Sequence, residues 1–108
     1  MVSGIFTAKV QFSYLSKVKI RPILILKENR FGDYIFMPLS SNIHNAGIIL
    51  NNNDLIEWYL PKTSVVIIEK IETIHKELII KRIGILTESK FDSIISEFCK
   101  MLTDRDIL

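Results

Sequence analysis

Cysteine is all but absent. Cys99 stands alone, so no disulfide can form within the chain, and that usage fits a reducing compartment. The four glycines are scattered at positions 4, 32, 47 and 84, which excludes the glycine-rich loops that cradle nucleotide phosphates and argues against nucleotide hydrolysis. His44 and His75 lie far from each other and from Cys99, without the paired spacing of a metal site. No metal or cofactor is expected, and no nucleophile-elbow pattern is present. No apolar run approaches the ~20 residues of a membrane span, and Lys9 interrupts any leader-like start. The expectation is a cytoplasmic protein with no membrane association.

What is present is a chain of 108 residues, 48% hydrophobic, rich in β-branched side chains and therefore globular. Residues 1–108 read as a single domain, long enough to bury roughly two-thirds of its unfolded surface. The net charge of +2 conceals an uneven distribution. Residues 1–30 carry six Lys/Arg against Glu28 alone, whereas residues 31–60 carry only Asp33, Asp54 and Glu57. A basic N-terminal third suits an anionic partner such as nucleic acid, although solvated lysines on a small domain would look the same.

The spacing of apolar residues predicts mostly strands. Residues 5–12 mix apolar and polar positions as a half-buried strand does. Residues 21–27 form a second strand, opened by Pro22, whose fixed φ and missing N–H suit a first strand position. The Gly32-Asp33 signal predicts a hairpin to a third strand over 34–39, with Pro38 marking an edge or bend. A polar loop at 40–45 and short extended pieces around 47–60 follow. After them come a long β-branched run over 63–74 and a further strand over 78–86. From Glu88 to Leu102 the period changes: Phe91, Ile94, Ile95, Phe98, Met101 and Leu102 form one helical stripe, with Thr87 as N-cap and Cys99 at the stripe's edge. Six or seven short antiparallel strands closed by one helix indicate a small barrel or sandwich.

Arg21 is the residue this fold does not require, because a guanidinium against a core strand is costly unless paired. If strands two and three form a hairpin, Arg21 and Ser40 return to the same edge. A charged fork beside a hydroxyl suits a phosphate, and Lys17 and Lys19 stand next to them. The alternative is that Arg21 pairs with an acid such as Glu69 while Ser40 caps a turn. Tyr14 and Trp58-Tyr59 could stack on bases or fill a core or an interface. His44, between Asn42 and Asn45, could contact a nucleic acid, serve in proton transfer or sit as an exposed loop residue.

The order of short motifs resembles the MazF/PemK family of bacterial toxins over nearly the whole chain. The matching stretches are Phe12-Ser13-Tyr14-Leu15-Ser16, Lys19-Ile20-Arg21-Pro22, Pro38-Leu39-Ser40-Ser41, Asp54-Leu55, Ser64-Val65-Val66, Lys70-Ile71-Glu72-Thr73-Ile74-His75-Lys76 and Ile83-Gly84-Ile85-Leu86. Each motif is weak by itself, but together and in this order they are specific.

The resemblance implies an SH3-like β-barrel of the CcdB-like type with a C-terminal helix, a homodimer, and a cognate antitoxin protein as partner. It also implies a toxin of a type II toxin-antitoxin system that cuts single-stranded RNA without metal. The family's catalytic arginine falls on Arg21 and its threonine on Ser40, which keeps the hydroxyl. With RNA as the substrate, the candidate RNA-binding residues are Ser13, Tyr14, Lys17, Lys19, Ser41, Asn42 and His44. The sequence departs from the family pattern in having Ser3-Gly4 before strand one, Lys9 for an acid, Tyr14 after Phe12-Ser13, and Ile67 and Glu69 after Ser64-Val65-Val66. No histidine occurs between 13 and 20. The general base is thereby left open, with Glu69 a candidate, and a catalytically inactive or topoisomerase-targeting module on the same fold is the alternative function.

Overall fold

Residues 23–26 are buried on both faces of their strand, which is why they read as an unbroken apolar run. In the computed structural model, which describes residues 4–11, 17–58 and 63–104, the strands are β1 (Gly4–Val10), β2 (Lys19–Glu28), β3 (Tyr34–Ser40), β4 (Ile48–Leu50), β5 (Leu55–Trp58), β6 (Ser64–Val66), β7 (Glu72–Ile74) and β8 (Ile79–Leu86), followed by the helix α1 (Glu88–Thr103). The order across the sheet is β4-β6-β3-β2-β1-β8-β5, with β7 also paired to β3. Every pairing is antiparallel, and the sheet curls into a nearly closed barrel capped by α1.

Alternation along β2 divides its apolar residues between two clusters. Leu24 and Leu26 join Ile5, Met37, Leu39 and Leu86 beneath α1, where Ile94 is fully buried. Ile23 and Ile25 face the other way, against Ala8, Val10, Phe36 and Ile74. Because β7 pairs with β3 while β8 pairs with β1, the 75–78 connection crosses this second face. Lys76 fastens that crossing by an ion pair to Glu28 at 3.0 Å and lies 5.7 Å from the Tyr34 ring centre. The hydrogen bond that Lys76 donates to the Glu28 carboxylate raises the ammonium's pKa above its ordinary value.

The β2–β3 hairpin turns as its sequence predicts. Gly32 takes φ +81, where a Cβ is disfavoured, and Asn29 Oδ1 accepts from the backbone N–H groups of Phe31 and Asp33. The helix start also holds: Thr87 Oγ1 accepts from Lys90 N at 3.2 Å, and Asp54 ties this end down through Thr87 N and Lys90.

Three expectations need correction. First, β2 begins at Lys19, so Pro22 is its fourth residue. It pairs with Thr7 of β1, but β3 joins β2 only from Ile23 onward, which leaves that flank of Pro22 without a ladder to complete. Second, the run over 63–74 is two strands separated by a 3-10 turn at Ile68–Lys70. β6 pairs with the end of β3 and β7 with its beginning, and Pro38 O accepts from Ile67 N where β3 passes from one partner to the next. Eight strands result among the described residues. Third, the apolar stripe of α1 ends early: Leu102 is 64% exposed and Cys99 is exposed, because the barrel ends before the helix does.

Gly47 enters β4 under tight constraint. A Cβ there would fall on the carbonyl oxygen of Val66 and against Val65 Cγ1, and the backbone oxygen of a paired strand cannot yield cheaply. Gly47→Ala is expected to destabilise the protein by about 1–3 kcal/mol, read as a lower chemical-denaturation midpoint. An unchanged midpoint would mean that β4 does not approach β6 as described.

Candidate functional site

Ile23 lies opposite Pro38 in the β2–β3 ladder, so continuing that register by two places sets Arg21 opposite Ser40. The ladder stops short of them because β3 turns at Pro38 and gives Leu39 and Ser40 to β6. The strands splay, and a cleft of about 330 Å³ opens between them, lined by Arg21, Pro38, Ser40, Asn42, Asn45 and Lys70 among others. Among the described residues its lining holds two cations and no acid. Arg21 makes no ion pair among the described residues, so the pairing with Glu69 does not form. Alternation places Lys19 on the same side of β2 as Arg21.

Ser40 is held by the loop that follows it. Its Oγ accepts from Asn45 Nδ2 at 2.8 Å and from Asn42 N at 3.1 Å, so it does cap a turn. Those two bonds occupy both hydroxyl lone pairs. What remains for a ligand is the O–H proton, and Ser40 is therefore a donor rather than a nucleophile or base. The loop in turn is pinned by Asn42, whose Oδ1 accepts from His44 N and whose carbonyl accepts from Asn45 N. An oxyanion placed in the cleft meets a guanidinium, an ammonium and a hydroxyl donor, a set suited to a phosphodiester.

The remaining site expectations divide. Ser41 and Asn42 line the cleft. Lys17 and Lys19 are exposed and are not among the residues that line it. His44 is exposed and outside the lining. Glu69 borders a separate depression of about 200 Å³ that shares Asn45, Ile67 and Lys70 with the cleft. Ser13, Tyr14, Tyr59 and the Trp58 side chain fall outside the described residues. Two residues of the cleft were not singled out from sequence. Asn45 positions Ser40, signalled only by the Asn42-x-x-Asn45 spacing, and Lys70 opens the Lys70-to-Lys76 motif. No group of three or more His, Cys, Asp or Glu side chains that could hold a metal occurs among the described residues, and no described helix is long and apolar enough to cross a membrane.

Because Asn45 is exposed and its amide orients the Ser40 hydroxyl, Asn45→Ala is expected to leave thermal stability within about 0.5 kcal/mol. It should weaken whatever the cleft does to a phosphate by on the order of tenfold. Comparing melting with ligand binding or turnover in the same variant checks this, and a loss of stability matching the loss of activity would contradict it.

The structure is similar to that of the toxin MazF-mt6 of Mycobacterium tuberculosis, with a TM-score of 0.63 and 20% identity over 96% of this chain and 99% of that one. At that identity the likeness speaks for the fold. No curated protein sequence matches the chain. The model of the PemK-like, MazF-like toxins of type II toxin-antitoxin systems matches residues 4–102, which span the barrel, the cleft and all but the last residue of α1, and the chain belongs to that family.

Proposed function

We propose that this toxin is a metal-independent, sequence-specific endoribonuclease that cuts single-stranded RNA at the Arg21–Ser40 cleft. One observation carries this reading above the others: an arginine without an ion-pair partner among the described residues and a hydroxyl held as a pure donor converge on a pocket that no described acid lines. RNA supplies its own nucleophile. The ribose 2′-OH attacks the adjacent phosphorus, the bond to the 5′ oxygen of the next nucleotide breaks, and the products carry a 2′,3′-cyclic phosphate and a 5′-OH. The protein's share is to hold the strand and to stabilise the charge that gathers on the non-bridging oxygens. Arg21 faces that charge with its fork, Ser40 donates to one oxygen, and Lys70 and Lys19 attract the backbone on either side. A guanidinium resists deprotonation, and no carboxylate or imidazole of the described residues lines the cleft. The cleft's side chains therefore stabilise charge and are not assigned the removal of the 2′ proton.

Family membership supports a cognate antitoxin protein that blocks this cleft, and a cytoplasmic site of action. Homodimer formation is supported by Ile20, Ile49, Ile56 and Ile80, strand residues that are 44–66% exposed. The lack of a base within the cleft favours one rival, a module that binds RNA or another target without cutting. Incubating the purified protein with RNA in EDTA separates the two. Fragments ending in a cyclic phosphate and a 5′-OH are expected, and an intact substrate at all protein concentrations would leave only the binding module.

A further inference from the structure

A larger cavity, about 400 Å³, opens on the same face of the sheet where β1 ends and β2 begins. Its floor is apolar and nearly closed, made of Val10, Phe36 and Ile74. Val18, 57% exposed, and Leu78, 39% exposed, stand open as walls. The rim is polar. Glu72 lies opposite Phe36 in the β3–β7 ladder, so its side chain rises on the cavity's face, and it makes no ion pair among the described residues. His75 accepts from Glu77 N through Nδ1 at 3.4 Å, which leaves Nε2 for a ligand. A concave apolar slot with a few convergent polar groups is the form of a small-ligand site.

Its position says which ligand. Val18 and Arg21 are three residues apart, about 10 Å at ~3.3 Å per strand residue, and Lys19 lies between them. A strand whose phosphate sits against Arg21 and Ser40 therefore has a neighbouring base within reach of the cavity. Single-stranded RNA is read by inserting unstacked bases between apolar walls and hydrogen-bonding their edges.

We propose that this cavity is a base-reading subsite of the same RNA-binding face, and that Glu72 selects a base bearing an exocyclic amino group over uracil. This rests on the reading of the Arg21–Ser40 cleft as an RNA phosphate site. The physical reason is that a carboxylate only accepts hydrogen bonds. Adenine, cytosine and guanine each present an amino group to it, as cytosine N4 does to acidic side chains elsewhere. Uracil instead sets carbonyl oxygens on either side of its single N–H and repels the carboxylate. His75 Nε2–H serves an acceptor beside the amino group.

The test uses 2′-fluoro heptanucleotides, which lack the attacking hydroxyl, so that binding is measured apart from cleavage. An all-uracil heptamer is compared with heptamers carrying one adenine, cytosine or guanine at each position in turn. For the wild type, an amino-bearing base at one position is expected to tighten binding by roughly tenfold. In Glu72→Gln that preference should shrink to within about threefold while all-uracil binding is kept or improved. Arg21→Ala should weaken every heptamer alike and leave the preference in place. A wild type with no preferred position, or a preference that survives in Glu72→Gln, overturns the proposal. Cleavage of unmodified RNA is scored separately. A base preference without cutting keeps the subsite and removes the nuclease, and cutting without a Glu72-dependent preference does the reverse.

Discussion

Arg21→Ala is expected to slow RNA cleavage by about a hundred- to a thousandfold, the usual consequence of removing one pre-placed donor from a developing oxyanion. The barrel should be left intact. Arg21 is exposed and makes no ion pair among the described residues, so its removal strands no buried partner and should move stability by no more than about 0.5 kcal/mol. Arg21→Lys refines the result. It restores the charge but not the planar fork that holds two oxygens at once, and a rate between those of the wild type and the alanine variant is expected. Single-turnover cleavage of a defined oligonucleotide at saturating protein separates the chemical step from weakened binding. If Arg21→Ala cuts at the wild-type rate under those conditions, the guanidinium does not act on the transition state and the cleft has been assigned wrongly.

The largest effect on stability is expected from Ile94→Ala. Ile94 is the one fully buried residue of α1. It packs into the cluster formed by Ile5, Leu24, Met37 and Leu86, while Phe91, Ile95 and Phe98 lie only partly buried around it. Truncating such a side chain to alanine removes its transfer free energy and leaves a cavity, together costing about 2–5 kcal/mol. In a domain of this size that corresponds to a fall in Tm of roughly 10 °C or more. Leu102→Ala is the control on the same helix. At 64% exposed it should change stability by less than about 0.5 kcal/mol. Equal losses from the two would show that the helix is not docked through Ile94. Because the helix covers the face of the sheet opposite the cleft, Ile94→Ala should still cleave RNA to within a few-fold at temperatures where it remains folded.

These predictions depend on different amounts of tertiary information. The helix is local: a Thr87 cap and an apolar stripe of period 3.6 define it without reference to the barrel, and only its distal end, at Cys99 and Leu102, needed the fold to decide exposure. The hairpin is nearly as local, since Gly32 and Asn29 shape the turn themselves. That turn sets the count of residues along each arm, which is why Arg21 and Ser40 could be placed at one edge from sequence. Pro38 marked a bend, but its sense could not be read. Whether β3 continues beside β2 or passes to β6 depends on where a strand 25 residues later in the chain comes to lie.

Local sequence was enough to specify a mainly β chain with one terminal helix, the turn that joins β2 to β3, and the return of a guanidinium and a hydroxyl to the far end of that hairpin. Side-chain period and turn chemistry are properties of neighbouring residues, and they survive without knowledge of the fold. Tertiary structure alone decided that the 63–74 run divides around a 3-10 turn, that Glu69 stays outside the cleft and Lys70 enters it, and that Asn45 turns the Ser40 hydroxyl into a donor. It also decided that Glu72 rises beside Phe36. Each of these depends on which distant strand pairs with β3 at which register. A shift of one residue in that pairing would send the same side chains to the opposite face.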